Sequence, residues 1–173
     1  YALFHIYTAY FGVFPVMIQR SLHVTVGLLL AFLYYPARRP RCQAVRRLLD
    51  TLFFLGALIG GGYIFVTYQW IRVTPQIIGS IPTYEVVLGI VFIIAILEAT
   101  RRTLGWGLPI ICLASLVYAY AGPNLPGILA HRGYDLTNII AQMYTYTEGI
   151  FSTPVGVTST YIVLFILFAA LLE

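Results

Sequence analysis

The sequence predicts an all-α, polytopic membrane protein, with about five to six transmembrane helices and one short amphipathic interfacial helix. Three observations predict it. Long apolar runs recur over 21–35, 48–68, 84–97, 104–121 and 155–172, with a partial one over 1–14. Only 9% of the 173 residues are charged and 60% are hydrophobic, whereas a soluble domain carries roughly 25% charge. Arginine crowds into alternate loops. The runs are continuously apolar, without the period-two alternation of a membrane barrel, and backbone groups in hydrocarbon must be satisfied within the segment. Helices are therefore expected.

Pro15 closes the first partial segment, and Gln19 and Arg20 are expected to mark an interface before the next helix begins. That helix should end at Tyr34, Tyr35 and Pro36, since paired tyrosines suit the headgroup level. Tyr68 with Trp70, and Tyr118 with Tyr120, are further candidate anchors. Gly56, Gly60, Gly61 and Gly62 lie in the second full run; the Gly-x-x-x-Gly spacing of Gly56 and Gly60 lets helix backbones approach closely.

In the stretch 86–97, ten residues are Val, Leu, Ile or Phe. At about −0.3 to −0.6 kcal/mol each they contribute roughly −3 to −6 kcal/mol to insertion, more than one central charge of about +2.5 to +3.5 kcal/mol takes away. Pro109 is expected to kink or soften the following helix. After Ala121, Gly122-Pro123-Asn124-Leu125-Pro126-Gly127 breaks any helix. Asp135 is then a candidate N-cap, and Leu136, Ile139, Ile140, Met143 and Tyr144 recur on one helical face, opposite Thr137, Asn138, Gln142 and Thr145. A helix so short and two-faced lies in the interfacial plane or braces other helices.

All 10 basic residues are arginine. Arg38, Arg39, Arg41, Arg46 and Arg47 fall in one loop, Arg72 alone in the next, Arg101 and Arg102 in the third, and Arg132 alone in the fourth. High and low counts alternate as the positive-inside rule requires, which puts the first and third loops on the cytoplasmic side. The basic residues form no face that tracks phosphates, so nucleic acid is not an expected partner.

Among the acids, Glu98 has Arg101 and Arg102 at i+3 and i+4, and Asp50 has Arg46 and Arg47 at i−4 and i−3, so both read as interface ion pairs on their own helices. Glu85 opens a run where solvent is near, and Glu148 precedes a glycine in a loop. His5, His23 and His131 are scattered. Cys42 and Cys112 differ in expected depth and form no disulfide framework, and no residues have metal-site spacing. No nucleophile elbow, phosphate loop or zinc motif occurs, so no catalytic, cofactor-binding or metal residues are assigned and an enzyme is not expected.

Several ordered blocks carry a resemblance: Tyr7-Thr8-Ala9-Tyr10-Phe11-Gly12, Leu97-Glu98-Ala99-Thr100-Arg101-Arg102, Gly105-Trp106-Gly107-Leu108-Pro109-Ile110, Ala130-His131-Arg132-Gly133-Tyr134, Thr147-Glu148-Gly149-Ile150-Phe151 and Pro154-Val155-Gly156-Val157, leading into Thr160-Tyr161-Ile162-Val163-Leu164-Phe165. Together they resemble the fused membrane permease of tripartite ATP-independent periplasmic (TRAP) transporters, of the TAXI type. The resemblance implies a sodium-coupled secondary transporter of the prokaryotic cytoplasmic (inner) membrane, taking up organic acids, dicarboxylate or amino-acid-like. A periplasmic substrate-binding protein would deliver them, with the remainder of the permease and the lipid bilayer as the other partners.

In that family a small membrane domain joins a large mobile one. Residues 1–102 would then be the small scaffold domain and 103–173 the start of the large one, with the boundary between 70 and 105. Tyr1 is not Met and lies within an apolar stretch, and Glu173 follows an unbroken run, so the chain is expected to be a piece of a longer permease. No cofactor is expected apart from Na+ as coupling ion, and the sodium- and substrate-binding residues would lie beyond Glu173. The loops from Trp70 to Pro82 and from Gly122 to Gly149 would face the binding protein. The alternative is a non-transporting membrane subunit that assembles a complex.

Overall fold

The computed structural model describes residues 1–36, 43–73 and 81–172, and among them every regular element is helical. Five helical stretches are long and apolar enough to cross a membrane: Val16–Tyr34, Gln43–Tyr68, Thr83–Leu104, Gly107–Asn124 and Thr153–Leu172. The protein is a multi-pass membrane protein. Only 11% of the fourth and of the fifth stretch is buried within the chain, against 33% of the first. Leu113, Val117, Phe165, Ile166, Phe168 and Leu171 are all exposed. A surface this apolar is stable only against lipid or another apolar protein surface.

Helix α1 (Ala2–Phe11) ends at Gly12, whose φ of 102° is a conformation that L side chains rarely adopt. Pro15 then caps α2 (Val16–Tyr34). The helix thus begins five residues before the apolar run, and Gln19 and Arg20 lie inside it rather than at an interface. Proline's fixed φ suits the entry to a helix and its missing N–H is not needed there. Tyr34 and Tyr35 close α2 and are exposed, as the belt expectation requires.

Helix α3 (Gln43–Val73) leans on α2 and α4 (Thr83–Leu104). Its glycines set the spacing. A methyl group on Gly56 would stand 2.9 Å from Val91 Cγ1, and one on Gly60 would stand 2.9 Å from Phe92 Cδ2, while Gly61 is pressed against Thr25 of α2. The glycine stripe is therefore a packing device, two faces wide. Phe92, Ala57, Ile64, Ala95 and Phe32 fill the core where α2, α3 and α4 meet. The basic loop residues Arg38, Arg39, Arg41 and Cys42 lie outside the described residues, as does most of the second loop.

Gly105, with φ of 87°, separates α4 from α5 (Gly107–Ala121). Pro109 is the third residue of α5, inside the first turn, where no intrahelical donor is lost. The expected kink is accordingly not needed. Two short 3₁₀ turns, Gly122–Asn124 and Gly127–Leu129, make the predicted break. His131 staples them: its Nε2 lies 3.0 Å from the Tyr118 carbonyl and its Nδ1 accepts from the Gly133 N–H at 3.0 Å.

Helix α6 (Leu136–Tyr144) starts at Asp135, whose Oδ2 accepts from the Thr137 N–H at 3.1 Å. Of the two placements open to it, it braces other helices. Ile139, Ile140, Ala141 and Tyr144 are buried, and a methyl group on Gly89 of α4 would stand 2.6 Å from Ile140 Cγ2. Much of the segment 122–149 is thus folded back onto the bundle instead of standing out as a loop. The last span opens with α7 (Thr153–Val157), passes through a π-helical turn at Thr158–Ile162 and continues as α8 (Val163–Leu172).

Candidate functional site

Polar groups inside an apolar helix bundle are costly and are retained where they do something. The described residues hold two such concentrations beyond the charged end of the bundle. The first is a seam between α1, α2 and the π-turn. Gln19, 3% exposed, donates from Nε2 to the Ser159 carbonyl at 3.3 Å and towards the Thr8 hydroxyl at 3.5 Å. Gln19 Oε1 is buried without a partner. The neighbouring Arg20 donates from Nη1 to the Phe151 carbonyl at 2.6 Å, and Gly156 leaves the room its guanidinium needs.

The π-turn supplies the seam's other half. Widening a helical turn frees backbone carbonyls from their usual i−4 donors. Here hydroxyls take up the slack: Ser159 Oγ and Thr160 Oγ1 each donate to the Gly156 carbonyl at 2.9 Å, and Thr158 Oγ1 to that of Val155 at 2.9 Å. The Ser159 carbonyl is left to Gln19. Three consecutive hydroxyl residues in an otherwise apolar run, two places after a glycine, are the sequence signal for this opening.

His5 and His23, apart in sequence, come together beside the seam, with His23 Nδ1 3.3 Å from His5 Nε2 and 2.8 Å from the Tyr1 hydroxyl. The sequence reading of three scattered histidines is corrected for this pair; only His131 stands apart, in its loop staple.

The charged end of the bundle is a fastening. Arg101 grips Glu98 with two bonds of 2.7 Å, as the i+3 spacing predicts. Arg102, whose side chain is 4% exposed, donates to Glu98 Oε1 at 2.8 Å, to Asp50 Oδ1 at 2.5 Å and to the Tyr35 carbonyl at 3.2 Å. Its guanidinium also lies over the rings of Phe32 and Phe53. Asp50 therefore pairs across helices with α4, where the sequence pointed to Arg46 and Arg47 on its own helix. The cause is that α3 and α4 pack closely enough along the glycine stripe for Arg102 to reach.

Glu85 is the other correction. Expected near solvent, it is 4% exposed and accepts from the Tyr63 hydroxyl at 2.7 Å. Glu148 is in an exposed loop, where Oε2 accepts from Gln142 Nε2 at 2.8 Å. Cys112 is a free, exposed thiol on α5.

The second concentration lines a cleft of about 1050 Å³ between α4, α5 and α6, where Arg132, Asp135, Asn138 and Gln142 stand among aliphatic side chains. Neither place pairs a nucleophile with a base, and among the described residues no three His, Cys, Asp or Glu side chains gather as metal ligands. No protein-family model, no curated protein and no solved structure matches the chain.

Proposed function

We propose that this protein is the membrane permease component of a sodium-coupled secondary transporter for organic acids, served by a periplasmic substrate-binding protein in a prokaryotic cytoplasmic membrane. The ordered sequence blocks that resemble TAXI-type TRAP permeases support the substrate class and the coupling. The observation that carries a transporter reading is the π-turn of the last span, opened against the buried Gln19 and the half-buried Arg20. Interrupted spans with polar backbone exposed to the protein interior are how secondary transporters build movable elements at membrane depth, and π-turns recur at functional sites.

In this reading α2, α3 and α4, tied by Arg102, form the fixed scaffold, and the part that moves begins after α4 and includes the last span. The Gln19–Ser159 and Arg20–Phe151 bonds are the joint between them.

The experiment is uptake by proteoliposomes containing the whole parent permease with its binding protein. A radiolabelled organic acid accumulates only under an inward sodium gradient, and Gln19→Leu slows that uptake without lowering the amount of reconstituted protein. Uptake indifferent to sodium overturns the coupling. No uptake of any organic acid, with a parent chain that still assembles a complex, favours an assembly subunit instead.

A further inference from the structure

The cleft between α4, α5 and α6 has walls of two kinds. Ile93, Ile96 and Leu97 from α4 face Ile111 and Leu116 from α5 across its apolar side. Helix α6 contributes a polar edge, because Asp135, Asn138 and Gln142 follow at i, i+3 and i+7 and so share one face. Arg132 stands at the mouth, next to the Tyr134 N–H that donates to the Ala119 carbonyl at 3.0 Å, at the end of α5 away from Arg101 and Arg102. The cleft is thus apolar along its length and charged at one end.

Asp135 accepts from the Thr137 N–H and Gln142 donates to Glu148, which leaves two polar groups of the cleft over. Asn138 Oδ1 is buried and has no partner. Arg132 forms no ion pair or hydrogen bond among the described residues. An unpaired cation and a buried acceptor at the head of an aliphatic channel ask for a ligand that brings an anion, a donor and a hydrocarbon tail together. At about 1050 Å³ the space is as large as the larger small-ligand pockets, which run to roughly 1,000 Å³.

We propose that this cleft is a binding site for one phospholipid whose headgroup carries both a phosphate and N–H or O–H donors, as phosphoethanolamine and phosphoglycerol do. The Arg132 guanidinium takes the phosphate, for which its planar fork is suited. Headgroup donors reach Asp135, whose Oδ2 also caps α6, and Asn138 Oδ1. The Gln142 amide faces the ester region, and the acyl chains lie on Ile93, Ile96 and Ile111.

The test is native mass spectrometry of the full chain in mild detergent, titrated separately with dioleoyl phosphatidylethanolamine, phosphatidylglycerol and phosphatidylcholine. The expected result is one retained phosphatidylethanolamine or phosphatidylglycerol per chain, with phosphatidylcholine, which lacks headgroup donors, held roughly tenfold more weakly, and an Arg132→Gln variant that loses about tenfold in retention of the first two. Ile111→Trp fills the aliphatic side and lowers retention of all three; Arg132 is exposed, so its variant tests the site even if the tryptophan disturbs folding. Equal retention of the three lipids, lipid-binding unaffected by Arg132→Gln, or a delipidated chain that dimerises through the cleft overturns the proposal. The outcome is independent of transport, since the readout is bound lipid.

Discussion

The Tyr144 hydroxyl donates to the backbone carbonyl of Gly60 at 2.6 Å, joining α6 to α3 across the edge of α4. Gly60 already lies against Phe92, and the Phe92 ring lies 5.7 Å from that of Tyr144. A short amphipathic helix is thereby held by one polar bond and one aromatic cluster. Tyr144→Phe keeps the ring and removes the bond, so the expected loss is about 0.5–1.5 kcal/mol. Thermal unfolding in detergent checks it, and an unchanged midpoint refutes the bond's contribution.

The Arg102 network predicts an asymmetry between two adjacent arginines. Arg101 is the more exposed, at 31%, and contacts only near neighbours in sequence, Glu98 and the Trp106 ring, whereas Arg102 joins α2, α3 and α4. Arg102→Gln is expected to destabilise by roughly 2–4 kcal/mol, because it removes a nearly buried cation that ties Asp50 of α3 to Glu98 of α4. Arg101→Gln should cost under about 1 kcal/mol, as exposed pairs do. A double-mutant cycle of Arg102→Gln with Asp50→Asn reads the coupling directly; additive effects would mean the cross-helix pair contributes nothing.

Gly61 and Thr25 mark the closest approach of α3 to α2. A side chain at Gly61 would collide with the Thr25 hydroxyl and Cβ. Gly61→Ala is expected to cost about 1–3 kcal/mol by overpacking, and Thr25→Ala in the same chain should restore part of that loss by removing the hydroxyl. Gly62, where a methyl group meets nothing within 4 Å, is the control. Equal effects of Gly61→Ala and Gly62→Ala would contradict the packing.

The alternation of arginine predicts sidedness. In a background with Cys42 and Cys112 replaced by serine, a cysteine at Arg39 should resist an impermeant thiol reagent added outside intact cells, and one at Leu125, in the 3₁₀ break, should react. The opposite pattern inverts the topology.

Composition and hydropathy alone were enough to read the helices, their number and the Asp135 cap, because insertion into hydrocarbon is decided locally, residue by residue along each run. The ion pairs of Glu98 were legible for the same reason: a helix places i+3 and i+4 on one face whatever surrounds it. Tertiary structure decided the rest. Gln19 looked like an interface marker, Glu85 like a solvent-side acid and Asp50 like the partner of its own helix. Each is instead settled by a group far away in sequence, respectively Ser159, Tyr63 and Arg102. Helix-to-helix distance controls those partnerships, and it depends on where small residues on one helix meet large ones on another, which no single run encodes.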